Sequence, residues 1–148
     1  MLFIPPILKY VEDFTVTGFS VVTQNRDELN AETAKLPNLW QQFYLSELGS
    51  NPNLFEVYSD YESDANGLFT VTVGIANHSE RAQFSSVKIQ AGNYLVFQGE
   101  GSMPSTVVEL WKQIWNYFEL GSKYKRNFIS DFEEYRDSDK VAIYIGVQ

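Results

Sequence analysis

The chain has 148 residues, enough for a single domain with a substantial hydrophobic core, and carries a net charge of −8 because 19 acidic residues outnumber 11 basic ones. This balance argues against a nucleic-acid groove, which needs clustered Lys and Arg, and the absence of cysteine excludes disulfides and thiolate metal sites. No apolar run approaches the about 18 residues that span a membrane, and no secretion signal is visible, so we expect a cytoplasmic protein.

The first quarter of the chain predicts extended structure. Residues 1–7 contain Pro5-Pro6 and are interpreted as an extended arm, because proline cannot donate a ladder hydrogen bond. Residues 8–24 are rich in β-branched and aromatic side chains, with Gly18 among them. They predict one long strand with a bend or a bulge.

A helix and two strands follow. Residues 31–48 have apolar side chains at helical spacing, and Gly49 is a plausible stop signal. Residues 54–59 and 68–75 predict two strands, between which Asn66-Gly67 indicates a tight turn. The residues around His78 are interpreted as a linker.

The second half follows the same plan. Residues 86–97 predict a strand, and a helix with an apolar stripe begins near Pro104 and ends at Gly121. Residues 128–135 and 140–147 predict the last two strands, joined by a short turn.

Short sequence matches relate the two halves in the same order. Leu39-Trp40 corresponds to Leu110-Trp111, and Glu47-Leu48-Gly49-Ser50 to Glu119-Leu120-Gly121-Ser122. Phe-Glu-x-Tyr occurs at 55–58 and again at 132–135, and Val73-Gly74-Ile75 corresponds to Ile145-Gly146-Val147. Ordered matches half a chain apart indicate a duplicated unit.

The predicted fold class is therefore α+β, with two β-α-β-β repeats related by a pseudo-twofold axis. Their strands form an antiparallel sheet, and the two main helices cover it and form a ligand cleft. We expect one domain over residues 1–148, with repeat 1 at about 8–77 and repeat 2 at about 84–148.

Two stretches resemble cofactor or metal sites only superficially. Asp60, Glu62 and Asp64 alternate as metal ligands can, but no glutamate follows at the spacing of a calcium loop. The loop at 99–102 has two glycines but no Lys-Ser or Lys-Thr after them, so it is not a phosphate-binding loop. We expect neither a metal nor a cofactor.

The repeated Phe-Glu-x-Tyr carries the chemistry that the sequence suggests. Alternation along a strand places Glu133 and Tyr135 on one face. If that face lies under the helices, Glu133 would be buried among aromatic residues, where it would take up a proton, bond to tyrosine hydroxyls or receive a cation. In the alternative interpretation Glu56 and Glu133 are exposed strand residues paired with lysines, and Trp111 and Trp115 belong to the core.

Phe-Glu-x-Tyr near the C-terminus, Tyr94-Leu95-Val96-Phe97 and the helix with Leu-Trp-x-x-Ile-Trp together resemble the GyrI-like, or AraC-type, effector-binding domain. The resemblance extends over essentially the whole chain. It implies a stand-alone multidrug-sensing domain of the kind that serves bacterial transcription regulation, similar to cationic-drug-binding proteins of mobile integron cassettes.

The resemblance also implies a lipophilic cationic small molecule as ligand. It assigns the binding role to Glu133, with aromatic residues around it. The expected ligand-binding residues are Glu133, Tyr135, Tyr144, Trp111, Trp115, Trp40, Phe97 and Tyr94. Family members often carry a second acidic residue on the last strand, where this chain has Ala142, so a single carboxylate is expected.

Two other functions stay open at this point. One is a small-molecule hydrolase that uses the same glutamate as general acid or base, although catalysis is the less favoured reading. The other is a protein-interaction module similar to gyrase inhibitors. Direct DNA binding is not expected because no helix-turn-helix precedes residue 8, and the sheet edges would allow a homodimer.

Overall fold

The computed structural model describes residues 2–51, 53–64, 66–76 and 83–148, with side chains from residue 5 onward. The linker predicted around His78 lies outside these residues. The elements in chain order are β1 Leu2–Val11, β2 Phe14–Thr23, α1 Asn25–Glu28, α2 Leu36–Tyr44, β3 Asn53–Ser59, β4 Phe69–Ile75, β5 Ser85–Ile89, β6 Gly92–Glu100, α3 Ser105–Glu119, β7 Arg126–Arg136 and β8 Lys140–Val147.

The eight strands form one antiparallel sheet in the order β1-β6-β8-β7-β3-β4-β2-β5. The order reads the same from both edges when β2, β3 and β4 are matched with β6, β7 and β8, and β1 with β5. The pseudo-twofold axis therefore passes between β3 and β7. This arrangement confirms the predicted α+β fold with two related halves.

The first strand of each half was not predicted as a separate element. The expected arm at 1–7 and the start of the expected strand at 8–24 form β1, and residues 86–97 divide into β5 and β6. β1 pairs with β6 at one edge, and β5 pairs with β2 at the other. Pro5-Pro6 fits because β1 is an edge strand whose register shifts between Ile4 and Ile7.

Short connections show that the sheet is strongly curled. Glu12-Asp13 joins β1 to β2, although six strand spacings separate these strands in the sheet order. A flat sheet would place them about 29 Å apart, whereas a two-residue connection spans at most about 11 Å. Phe14 at the start of β2 accordingly contacts Phe132 in β7, with ring centroids 5.5 Å apart.

The two faces of the sheet bury different cores. Under α2 lie Phe69, Val71 and Val73, and under α3 lie Phe97, Ile143 and Ile145. The opposite, concave face closes on an aromatic cluster that includes Phe55, Phe132 and Tyr144. The face beneath the helices is the one that carries the candidate site.

Candidate ligand-binding site

Two glutamates face each other across the pseudo-twofold axis. Glu56 in β3 is the register partner of Glu133 in β7, and their side chains point to the face covered by the helices. The residues are 4% and 1% exposed. Two adjacent carboxyl groups under a hydrophobic layer are costly unless hydrogen bonds, a shared proton or a counter-ion stabilises them.

Each helix supplies one indole to this pair. Trp40 Nε1 in α2 donates to Glu56 Oε1 at 2.9 Å, and Trp111 Nε1 in α3 donates to Glu133 Oε2 at 2.6 Å. The two tryptophans occupy equivalent positions of the repeats. The duplicated Leu-Trp is therefore a polar anchor as well as part of the helix-sheet packing.

Two tyrosines complete the hydrogen bonding but break the symmetry. Tyr135 donates its hydroxyl to Glu133 Oε1. Tyr58 Oη lies 2.8 Å from Glu56 Oε2 and 2.7 Å from Glu133 Oε2, between the two carboxyl groups. The pKa of each of the two phenols is raised well above the usual value for tyrosine, mainly by burial and secondly by the charge of Glu133. Both hydroxyls therefore keep their protons at neutral pH.

The surroundings of Glu56 oppose the ionisation of its carboxyl group. Burial is the main cause that raises its pKa well above the usual range, and the neighbouring Glu133 is the second. Hydrogen bonding with Tyr58 and Trp40 acts in the opposite direction and is weaker.

An apolar cavity of about 260 Å³ adjoins the pair. α1, the start of α2, α3 and strands β3, β4 and β7 contribute its walls. It is lined by Asn25, Glu28, Leu29, Leu36, Tyr58, Tyr61, Phe69, Val108, Trp111, Lys112, Trp115 and Arg126. Neither Glu56 nor Glu133 lines the cavity. Tyr58, which contacts both carboxyl groups, and Trp111, which contacts Glu133, line the cavity and separate it from the pair.

The cationic and anionic groups in the cavity wall are tied to other partners. Arg126 Nη2 binds Asp131 Oδ2 at 2.7 Å, and the two side chains are 9% and 0% exposed. Tyr61 also donates to Asp131. Glu28 accepts the backbone N–H groups of Lys35 and Leu36 and so holds the start of α2.

The structure brings five of the eight expected ligand-binding residues together. Glu133, Tyr135, Trp111 and Trp40 form the buried network. Trp115 packs on Trp111 with ring centroids 5.9 Å apart, lines the cavity and is 43% exposed.

The other three expected residues lie elsewhere. Tyr144 was expected beside Glu133, but it pairs in register with Phe132 and stacks on that ring at 4.3 Å, on the opposite face of the sheet. Tyr94 belongs to the same opposite-face core. Phe97 is on the helix side but lies two strands from Glu133, packed against Tyr117 beneath α3.

The expectation of a single buried carboxylate was wrong. The second one is Glu56, which comes from the first repeat and not from the last strand. Sequence reasoning also missed Tyr58, Tyr61 and Phe69 as residues around the cavity. The repeated Phe-Glu-x-Tyr was the available signal, because the pseudo-twofold axis that relates its copies also relates Glu56 to Glu133.

The described residues contain no group of three or more His, Cys, Asp or Glu side chains placed to hold a metal ion. Their helices include none that is long and apolar enough to cross a membrane.

The fold is that of a GyrI-like effector-binding domain. Residues 7–147 match the family of integron-associated effector-binding proteins, and the chain belongs to this family. The integron cassette protein VCH_CASS2, from the mobile metagenome of Vibrio cholerae, is 36% identical with a TM-score of 0.91, over 99% of this chain and 97% of that one.

Two other proteins are similar over almost the same length. YobU of Bacillus subtilis, named as a proposed transcriptional regulator, is 28% identical over 88% of this chain and 90% of its own. The structure of SAV2435 bound to tetraphenylphosphonium has a TM-score of 0.74 and 16% identity, over 98% of this chain and 94% of that one. At this identity the likeness concerns the fold alone.

Proposed function

We propose that the cavity binds lipophilic organic cations, with Glu133 as the charge that attracts them and aromatic rings as the surface that holds them. The observation that carries this proposal is the position of Glu133. It is a fully buried carboxylate directly behind Tyr58 and Trp111, the two aromatic residues that separate it from an apolar cavity.

The hydrogen bonds at Glu133 stabilise a negative charge close enough to the cavity to attract a bound cation. Three donors face this carboxylate, from Trp111, Tyr58 and Tyr135. Each N–H or O–H that points at the carboxylate leaves the face of its ring rich in electrons. Cations bind such faces, at about 0.5–2 kcal/mol each.

Electrostatics favours a charged guest over a neutral one. A cation on the cavity side of the Trp111 and Tyr58 rings would lie about 6 Å from Glu133, which is worth roughly 3 kcal/mol at an effective dielectric of 20. Contacts with the rings add to this, and the cost of removing the cation from water subtracts from it. We expect a net preference for the cation of at least about tenfold, or about 1.4 kcal/mol.

The family and one structure of the same fold support the proposal. The family is one of effector-binding proteins, and a protein of the same fold has been obtained with a lipophilic cation bound. The proposal that this chain also binds such a cation rests on its own carboxylates and aromatic rings.

A titration with molecules of equal shape tests the role of charge. The monocation 1-methyl-4-phenylpyridinium and the neutral 4-methylbiphenyl have almost the same outline. Binding can be followed by quenching of tryptophan fluorescence, because Trp111 and Trp115 line the cavity. The wild-type protein should bind the cation at least about tenfold more tightly.

Glu133→Gln should remove most of that preference, because the amide has the same size and no charge. The matched control is Glu134→Gln, the same change at the next residue, whose side chain is on the other face and pairs with Arg136. This control should bind like the wild-type protein. If folded Glu133→Gln binds the cation within twofold of the wild-type affinity, the proposal is wrong.

A further inference from the structure

A proton count at Tyr58 defines the charge of the site. The hydroxyl of Tyr58 has one hydrogen but lies within hydrogen-bonding distance of an oxygen of each glutamate, at 2.8 Å from Glu56 and 2.7 Å from Glu133. It can donate to only one of them. The other contact is a hydrogen bond only if that carboxyl group is protonated and donates to the hydroxyl oxygen.

The remaining donors show which glutamate holds this proton. Glu133 also accepts hydrogen bonds from Trp111 and Tyr135, one on each oxygen. Glu56 accepts one further bond, from Trp40 to Oε1, which leaves Oε2 free to donate. The arrangement that satisfies every group has Glu56 Oε2–H donating to Tyr58, and Tyr58 donating to Glu133.

No described cation takes the place of this proton. Apart from Tyr58 in β3 and Tyr135 in β7, the titratable side chain that α2 contributes is Tyr44, which packs on Trp40. The charged groups in the cavity wall are Glu28, Lys112 and Arg126. Lys112 is bound to Glu109 and Arg126 to Asp131, so neither neutralises the glutamates. Burial and the charge of Glu133 raise the pKa of Glu56, in keeping with this assignment.

We infer that the free site holds one proton on Glu56 and one negative charge on Glu133, and that it therefore matches monocations and admits dications only by releasing that proton. This inference rests on the cation site proposed above. Glu56 would then determine the preferred charge of the ligand, and Glu133 its binding. The released proton passes to the solvent, and no bond other than Glu56 O–H is broken.

The test uses calorimetric titration with two flat aromatic cations that differ in length by one methyl group. The monocation is 1-methyl-4-phenylpyridinium and the dication is 1,1′-dimethyl-4,4′-bipyridinium. Titrations at pH 7, in two buffers of different ionisation enthalpy, give the number of protons released on binding. Titrations at pH 6, 7 and 8 give the dependence of affinity on pH.

The wild-type protein should release close to one proton when the dication binds, and much less than half a proton when the monocation binds. Release of one proton makes binding about tenfold tighter per pH unit, so the dication's affinity should rise steeply with pH and the monocation's should change little. In Glu56→Gln the dication should release no proton, and its affinity should no longer rise with pH. The amide keeps the bonds to Trp40 and Tyr58 without titrating.

Three results would overturn the inference. They are a dication that releases no proton from the wild-type protein, a monocation that releases a whole one, and proton release that persists in Glu56→Gln. These results leave the cation site standing as long as the monocation binds more tightly than 4-methylbiphenyl. If neither cation binds more tightly than 4-methylbiphenyl, the proposed function fails and the inference fails with it.

Discussion

The glutamate pair should make the protein less stable as the pH rises, and Glu56→Gln should remove this effect. The pKa of Glu56 is raised in the folded state, by burial and then by Glu133, above a value of 4.5 for the free side chain. A carboxyl group of this kind contributes stability that is complete below the unfolded-state pKa. The contribution declines once the pH exceeds the unfolded-state pKa and is lost entirely as the pH rises through the folded-state pKa.

The proton count gives the size of the effect. Above about pH 5.5 the unfolded chain has released the proton that the folded pair keeps, so the free energy of unfolding falls by about 1.4 kcal/mol per pH unit. Between pH 5.5 and pH 7.0 this amounts to about 2 kcal/mol. For a chain of 148 residues it corresponds to a decrease of roughly 4–8 °C in Tm.

Urea unfolding at several pH values measures this slope. The quantity to follow is the free energy of unfolding of Glu56→Gln minus that of the wild-type protein, because the other titrating groups then cancel. It should increase by about 1.4 kcal/mol per pH unit over this range. The difference between Glu134→Gln and the wild-type protein should stay nearly constant. A flat or falling curve for Glu56→Gln would show that the folded pair does not keep the proton.

Three further substitutions test other parts of the structure by urea unfolding. Trp111→Phe keeps a ring but removes a hydrogen-bond donor from buried Glu133, so it should lower the free energy of unfolding by about 1.5–3 kcal/mol. The control Trp115→Phe, on the exposed side of α3, should lower it by less than about 0.5 kcal/mol. Equal losses in the two variants would contradict the role of the indole N–H. Arg126→Met leaves Asp131 buried without its cation and should cost about 3–5 kcal/mol, so a loss below about 1 would show that the pair is dispensable. Gly74→Ala places a methyl group 2.1 Å from the carbonyl oxygen of Thr17 and should cost at least about 2 kcal/mol, since β2 and β4 must separate; an unchanged midpoint would refute that packing.

The sequence predicted the two main helices and most central strands because their signals are local, although α2 is shorter than the expected helix at 31–48 and α1 was not predicted as a separate helix. The apolar stripe of α3, the stop at Gly121 and the two Phe-Glu-x-Tyr strands can each be recognised within one segment. β1 and β5 could not be separated from β2 and β6 in this way. Each of them pairs with a strand of the other half, and no local pattern records that pairing.

The site was predicted in part for the same reason. The shared face of Glu133 and Tyr135 follows from alternation along one strand, which the motif displays, but the burial of that face was left open by the sequence. The position of Tyr144 depends on the register between β7 and β8, which pairs it with Phe132. The meeting of Glu56 with Glu133 depends on the register between β3 and β7. A one-residue shift in either register would reverse the faces, and the sequence alone does not fix them.

Duplication explains why the site has two carboxyl groups but one charge. Two copies of the same strand, antiparallel and in register across the axis, necessarily bring their glutamates together. Full ionisation of two adjacent buried carboxyl groups is unfavourable, so we expect the pair to break its symmetry by keeping a proton. Tyr58 does this by reaching across to Glu133, whereas Tyr135 stays with the glutamate of its own strand. The cavity lies on the Tyr58 and Trp111 side and includes neither Tyr135 nor Trp40 in its wall. If the proposed cation site is right, one negative charge beside this cavity predicts a stoichiometry of one cation per chain, although the sequence contains the motif twice.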